Sequence, residues 1–367
     1  MVSIRRAHGL PRLPRRAFLR QALGAVAAGA VGAACQPPAG QPAAPASQAP
    51  AGAPTSGAAS VALAQRRPFK LVWTAVTGSQ AALWMAYETG AWRELGLDVE
   101  LIRIPSSSRL AASMQAGEVD GGSLDWAVAF QFVAQGGNTR EVGGITNRQI
   151  FAVLGTQGVT RPQDVVGKRW GITRLGSSTH TASLLALEQW RIRPEEVNFL
   201  QLQEVPAILA AMQAGQVDVG TMSPPTSTRA LQAGFRELID LSTEGPEYPS
   251  IGLGIVERHI AESPDLVRAY IAGYAMGVVR FRRDREQAIA LMRKYLEIED
   301  QAILEDTHAR AARYLAFPPL VPMDSLPRVK QDVVEQDPQV AGVAITDVAV
   351  PRFAEELEAQ GYFASLA

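Results

Sequence analysis

A chain of 367 residues, 47% of them hydrophobic, carries enough apolar material for two cores or one two-lobed body, which excludes disorder throughout. A formal net charge of −1, with Lys and Arg scattered along the sequence, leaves no basic face for nucleic acid. One cysteine and four dispersed histidines exclude an internal disulfide and a Cys/His metal set, and no motif for a cofactor is present.

Residues 14–20 read Pro-Arg-Arg-Ala-Phe-Leu-Arg, and an Ala/Gly/Val-rich stretch occupies residues 22–34. That stretch falls short of the roughly 20 apolar residues a spanning helix needs, so it reads as the apolar region of an export signal. The paired arginines resemble a twin-arginine signal. The segment Val31-Gly32-Ala33-Ala34-Cys35 resembles a bacterial lipobox, which implies that Cys35 becomes a lipidated first residue. Gly32 departs from that pattern, which usually has an aliphatic residue three before the cysteine. Cleavage after an Ala-x-Ala-like site is the other reading, and both imply export. Residues 1–35 are thus taken as the signal, and residues 36–67, rich in Ala, Pro, Gly, Ser and Gln, as a flexible tether.

The folded part begins with alternating strands and helices. Phe-Lys-Leu-Val-Trp-Thr-Ala-Val at 69–76 reads as a buried strand, and Gly78-Ser79-Gln80 opens a helix that runs to Trp92. A second strand is expected at 97–104, then a turn and cap at Pro105-Ser106-Ser107-Ser108, and a helix ending at Gly117. A short strand from Val119 leads to Ser123, a candidate cap for a helix over 124–134, and a further strand is expected at 142–145. The series then restarts: strand 169–172, turn 176–179, helix 180–190, strand 197–202, helix 206–213.

Ser-Met-Gln-Ala-Gly-Glu-Val-Asp-Gly-Gly at 113–122 and Ala-Met-Gln-Ala-Gly-Gln-Val-Asp-Val-Gly at 211–220 are nearly the same segment. Their separation far exceeds the roughly 20–50 residues of a solenoid repeat, so two similar α/β lobes are expected. The apolar runs 151–154 and 251–256 are candidate crossings out of and back into the first lobe, making a hinge. The expected division is a first lobe over 68–154, a second over 155–250, and a return to the first over 251–367. Past Val256 the pattern turns helical, with helices expected from Ser263-Pro264-Asp265, from Asp284, over 301–315 and over 347–360, all packing on the first lobe.

Several stretches together resemble the nitrate/sulfonate/taurine-type periplasmic substrate-binding proteins of ABC transporters, including those for thiamine pyrimidine precursors. They are Leu-Trp-Met-Ala-Tyr-Glu-Thr-Gly at 83–90, Leu-Gly-Leu-Asp-Val-Glu at 95–100, the paired Ala-Gly-x-Val-Asp segments, residues 164–171, and Pro-Asp-Leu-Val-Arg at 264–268. The resemblance implies a bilobed type II periplasmic-binding-protein fold, a monomer, and a cleft that closes on one small solute. It also implies delivery to a permease in the cytoplasmic membrane, with no catalytic residues and a place in the periplasm or on the outer face of that membrane.

In open α/β sheets ligands bind beyond the carboxyl ends of strands, where helix N-termini present free N–H groups. That rule selects five loops and the candidates Ser79, Gln80, Ser107, Asp125, Ser177, Ser178, Thr179, Ser223 and Thr226. The Gly176-Ser177-Ser178-Thr179 turn is the sharpest, suited to an anionic group, although hydroxyls there also cap their own helix. Trp84 and Trp126 are candidates to stack on a planar ligand or to fill the core. Asp125 suits an amine or a helix cap, Arg148 an oxyanion, and His180 a ligand hydrogen bond or acid–base work. Asp125 and Arg148 imply opposite ligand charges, so a zwitterion or polar heterocycle satisfies both.

Two other functions fit the same scaffold. One is an enzyme, desulfinase-like or pyrimidine-synthase-like, but relatives of that kind use a reactive cysteine and this chain's cysteine lies in the signal. The other is a ligand-binding receptor that feeds a sensor.

Overall fold

The computed structural model describes residues 61–367, so the signal, Cys35 and most of the tether lie outside the described residues. Two five-stranded sheets organise the rest. The first contains β1 (Arg67–Trp73), β2 (Leu97–Arg103), β3 (Gly121–Asp125) and β4 (Thr139–Thr146), and the second β5 (Ala152–Gly155), β6 (Arg169–Ile172), β7 (Asn198–Gln201), β8 (Val219–Met222) and β9 (Arg236–Asp240). The last strand, β10 (Ile251–Val256), returns to the first sheet. Strand orders are β2-β1-β3-β10-β4 and β7-β6-β8-β5-β9, the same topology twice. In each sheet the strand arriving from the other lobe takes the fourth place and is antiparallel to both neighbours.

The repeated segment has a structural explanation. Gly117 and Gly215 have φ of 73° and 68°, a left-handed turn that glycine adopts without a Cβ clash, and each ends a helix. The aspartate three residues after that glycine then clamps the neighbouring parallel strand, β1 in the first sheet and β6 in the second. Asp120 accepts from the Lys70 N–H at 2.9 Å, and Asp218 from the Arg169 N–H at 3.0 Å. In both lobes the same aspartate's N–H returns a bond to that residue's carbonyl, at 3.0 and 2.9 Å.

Two short segments cross between the sheets. They are bonded to each other, with Tyr248 N–H donating to the Asn147 carbonyl at 3.0 Å and Ser250 N–H to that of Thr146 at 3.1 Å. Because β5 pairs within the second sheet, the changeover falls before Ala152, slightly earlier than the division expected after 154.

The first lobe is the thicker one. The helix Ala81–Glu88 packs on the long helix Pro264–Arg283, where a Cβ at Gly277 would meet the Ala82 carbonyl oxygen at 2.4 Å. The expected tether runs too far: Leu63 N–H bonds the Leu95 carbonyl at 2.9 Å and Arg67 opens β1, so the residues just before β1 belong to the folded body.

The C-terminal helices do not all keep to the first lobe. In Gln301–Tyr314, Arg310 pairs with Asp240 of β9 at 2.6 Å, while His308 bonds the Phe281 carbonyl at 3.0 Å. The helix Leu326–Gln336, not expected from the sequence, buries Val329 and Val333 in the cluster containing Trp126 and sends Arg328 to Glu188 of the second lobe at 2.7 Å. Instead of one helix over 347–360, two short helices, Ile345–Val348 and Arg352–Ala359, flank Pro351.

Candidate functional site

All five loops selected by the strand-end rule meet between the sheets. An inner chamber of about 290 Å³ is lined from the first lobe by Thr74, Thr77, Ser79, Ser107 and Asp125, and from the second by Thr173, Ser177, Ser178, Thr179 and Ser223. Ile150, Phe151 and Ile251, at the crossings, give it an apolar floor beside Ser250. A side chamber of about 360 Å³ shares Ser107, Asp125, Ser177 and Ser178, and adds Gln131, Gln149, Tyr248, Asp332 and Gln336. A vestibule of about 870 Å³, whose wall includes the exposed Arg103, Arg174 and Arg229, shares Thr77, Thr173, Ser177, Ser178 and Ser223 and adds Thr226.

Each wall is set by a hydroxyl network. On the first, Thr77 Oγ1 lies 2.7 Å from Ser79 Oγ, Gln80 Nε2 donates to Ser79 Oγ at 3.3 Å, and Ser123 Oγ–H donates to Gln80 Oε1 at 2.6 Å. Thr74 Oγ1 completes the chain, 3.0 Å from Ser123 Oγ. On the second, Thr173 Oγ1 is 2.8 Å from both Ser177 Oγ and Thr179 Oγ1. The Ser177 hydroxyl also donates to the Arg174 carbonyl at 2.7 Å and caps the helix Ser178–Trp190 by accepting from His180 N–H. Ser177 and Thr179 are therefore committed to their own loop, and Ser178 is left to reach across the cleft.

Asp125 lines the same two chambers as Ser178, from the opposite wall. This carboxylate, and not Ser123, caps the helix Trp126–Ala134, accepting from Ala127 N–H at 2.9 Å. Burial pushes its pKa up to about 6 from an ordinary 3.8, overriding the lowering effect of the Ala127 and Val128 N–H groups and the Ser178 hydroxyl. Desolvation is thus the larger force on this carboxylate. Near Asp125 lies an acid the sequence did not single out, Glu141 of β4, fully buried with both oxygens unpartnered. Burial, reinforced by the neighbouring Asp125 charge, holds it well above the usual carboxylate range.

Four candidates sit elsewhere. Trp84 is fully buried and stacks on Tyr295 at 4.7 Å, edge-on to Trp73, because its helix turns that face to β1 and to the helix Arg285–Leu296. Trp126 is fully buried in the cluster under the helix Leu326–Gln336. Arg148 donates to the Gly245 carbonyl and ties the two crossings together. Gln80 is buried behind Ser79 and positions the wall without lining a chamber. His180 is also engaged: its Nδ1 accepts from Gly176 N–H at 3.1 Å, its ring packs edge-on to Phe199, and burial lowers its pKa.

Thr74 and Thr173 were missed, although both directly follow the last residue of a parallel strand and the strand-end rule reaches them. Gln149, Tyr248 and Ser250 carried no such signal, since they lie on the crossings. Among the described residues no group of three His, Cys, Asp or Glu is placed to hold a metal.

Comparison with known proteins gives a consistent picture. The model of the NMT1/THI5-like family matches residues 78–288. The taurine-binding periplasmic protein of Escherichia coli strain K12 is 28% identical over 192 residues, which cover 48% of this chain and 56% of that protein. The match therefore spans just over half of that relative's length. The periplasmic aliphatic sulphonate binding protein SsuA from Escherichia coli superposes with a TM-score of 0.63 at 19% identity, covering 75% of this chain and 94% of that one. The alkanesulfonate-binding protein SsuA from Xanthomonas axonopodis pv. citri, bound to MOPS, gives 0.60 at 18% identity, covering 76% and 96%. With its doubled five-strand topology and inter-sheet cleft, the chain belongs to the NMT1/THI5-like family and has the two-lobed α/β fold of periplasmic binding proteins.

Proposed function

We propose that this protein is an extracytoplasmic solute-binding protein that captures a small organic molecule between its lobes and hands it to the permease of an ABC importer. One observation carries the reading: loops from two sheets joined by two crossings converge on a single set of connected chambers. Such an arrangement encloses a ligand by rotation about the crossings, with little change inside either lobe. The names of the taurine- and sulphonate-binding relatives support it.

Around that core we place the finer features. Residues 1–35 act as a twin-arginine export signal, Cys35 receives a lipid, and the Ala/Pro-rich segment holds a monomeric body near its membrane partner while leaving it free to reorient. The first lobe comprises the strands up to β4 with β10 and most C-terminal helices, and the second runs from β5 to β9. Ser79, Ser107, Asp125, Ser178 and Ser223 contact the solute, whereas Ser177, Thr179 and Gln80 hold the loops that present it.

The test is thermal unfolding of the full chain against sulfonates, carboxylates, amino acids, pyrimidines and polyamines. A ligand at about a hundred times its Kd adds roughly 2.7 kcal/mol, a shift of a few degrees for a chain of this size. A selective shift with the ligand recovered unchanged is the expected outcome. Recovery of a chemically altered ligand would replace capture with catalysis. Mass spectrometry of the membrane-associated protein, with Cys35→Ala as control, tests the lipid.

A further inference from the structure

Charge is distributed unevenly along the connected chambers, and this deepens the capture reading, on which it rests. Among the described residues Asp125 is the one charged residue lining the inner chamber, and its hydrogen-bond partner is neutral, the Ala127 N–H at 2.9 Å. The side chamber adds Asp332, but that carboxylate is already paired with Arg328 at 2.9 Å. Among the described residues no Lys, Arg or His lines either chamber. A bare anion driven into this space would meet a carboxylate and no cation, a repulsion that low dielectric magnifies.

The vestibule is the reverse. Arg103 stands over the Trp73 ring at 5.2 Å, Arg174 donates to Gln203 Oε1 at 2.9 Å, and Arg229 projects from the helix Thr226–Gln232. Among the described residues none of the three forms an ion pair, and Glu204 is the one acid on that rim. Arg148, the arginine nearest the floor by sequence, is occupied at Gly245. Cationic donors for an oxyanion are therefore found at the vestibule and not at the hinge. Since inner chamber and vestibule share Ser177, Ser178 and Ser223, one molecule can touch both.

We propose that the cleft selects a zwitterion in a fixed direction, its ammonium group inward on Asp125 and its acid group outward among Arg103, Arg174 and Arg229. The helix N-termini around the inner chamber do not reverse this polarity. Two of them are already capped, by Ser177 and by Asp125 itself, so their remaining N–H groups act as neutral donors.

Calorimetric titration of the full chain with two matched sets tests it: taurine, ethanesulfonate and ethylamine, then 6-aminohexanoate, hexanoate and hexylamine. At least one zwitterion is expected to bind about tenfold or more tighter than both of its halves, since each of its ends meets an opposite charge. Asp125→Asn, which keeps a capping side chain, should reduce that zwitterion to the level of its matched acid. Arg174→Ala combined with Arg229→Ala should reduce it toward the matched amine. Ethanesulfonate or hexanoate binding as tightly as its zwitterion would overturn the proposal, as would an Asp125→Asn chain that melts normally and keeps full affinity. If none of the six binds while another solute class does, this polarity is wrong and capture stands. If no solute in the broad panel binds, capture itself fails.

Discussion

The two sheets are near copies, and the way they differ locates the chemistry. Register aligns Gly122 of β3 with Val72 of β1 and, in the second sheet, Gly220 of β8 with Gly171 of β6. Counting forward from those pairs, Ser123 corresponds to Thr221 and Asp125 to Ser223. Ser123 bonds Gln80 and Thr221 bonds Ser183, so both lobes anchor this strand to the helical segment that follows its parallel neighbour in the same way. At the next inward-facing position the symmetry breaks, with a carboxylate on one wall and a hydroxyl on the other. Duplication accounts for the architecture of the cleft, and one departure from it accounts for the charge.

The lobes also differ in thickness, which sets the largest expected effects. Trp84→Ala removes a buried indole from the first lobe's aromatic cluster and should cost about 3–5 kcal/mol in denaturant unfolding. Its effect on ligand affinity in the folded protein should be small. A large affinity loss at unchanged stability would return Trp84 to the site.

The charge asymmetry gives the next effect, of opposite sign. With its pKa raised from 3.8 to about 6, Asp125 binds a proton more tightly when folded than when unfolded. Its ionisation therefore destabilises the empty protein increasingly as pH rises from near 4 to near 6, and by a constant amount above that. Asp125→Asn should stabilise the unliganded chain by up to about 3 kcal/mol at pH 7.5 and hardly at all at pH 3.5. Stability measured at those two pH values checks the sign. Ser223→Ala, at the matching position, should show no such pH dependence.

The paired clamps sharpen the comparison further. For Asp120, burial opposes ionisation, but hydrogen bonds from His259 and the Lys70 N–H outweigh it and its pKa is lowered. The stability it contributes is present above about pH 4 and lost as pH falls through the lowered folded value. Asp120→Ala should cost about 2–3 kcal/mol at neutral pH. Asp218→Ala, whose clamp is more exposed, should cost below about 1 kcal/mol. Equal losses would mean that the second lobe depends on its clamp as much as the first. Smallest of all, Arg328→Ala removes an exposed bridge between lobes and should change stability by well under about 1 kcal/mol. Small-angle scattering of the unliganded protein is the readout for its effect on lobe opening.

Legibility in the sequence followed the range of the interactions. Ser177 as a cap, Gly117 as a helix stop and the loops at strand ends were readable because each depends on residues a few positions apart. Trp84 and Trp126 were not, because whether an aromatic at a helix start faces a cleft or a core depends on which helix is packed beside it. For these two the covering groups, Tyr295 and the helix Leu326–Gln336, lie more than a hundred positions away. The same distance hid the helix Leu326–Gln336, whose contribution of Asp332 and Gln336 to the side chamber has no local signature.

Read alone, the sequence determined the alternating α/β lobes, their duplication and the five loops at the strand ends, because hydrophobic period, glycine stops and helix caps are local properties of the chain. The family, too, was legible in those residues. Only the tertiary structure decided which hydroxyls are already bound to one another, that Asp125 lines its chamber without a cation, and that the unpaired arginines stand at the vestibule. Those are sums over groups distant in sequence, and desolvation exists only once the two walls have been brought together.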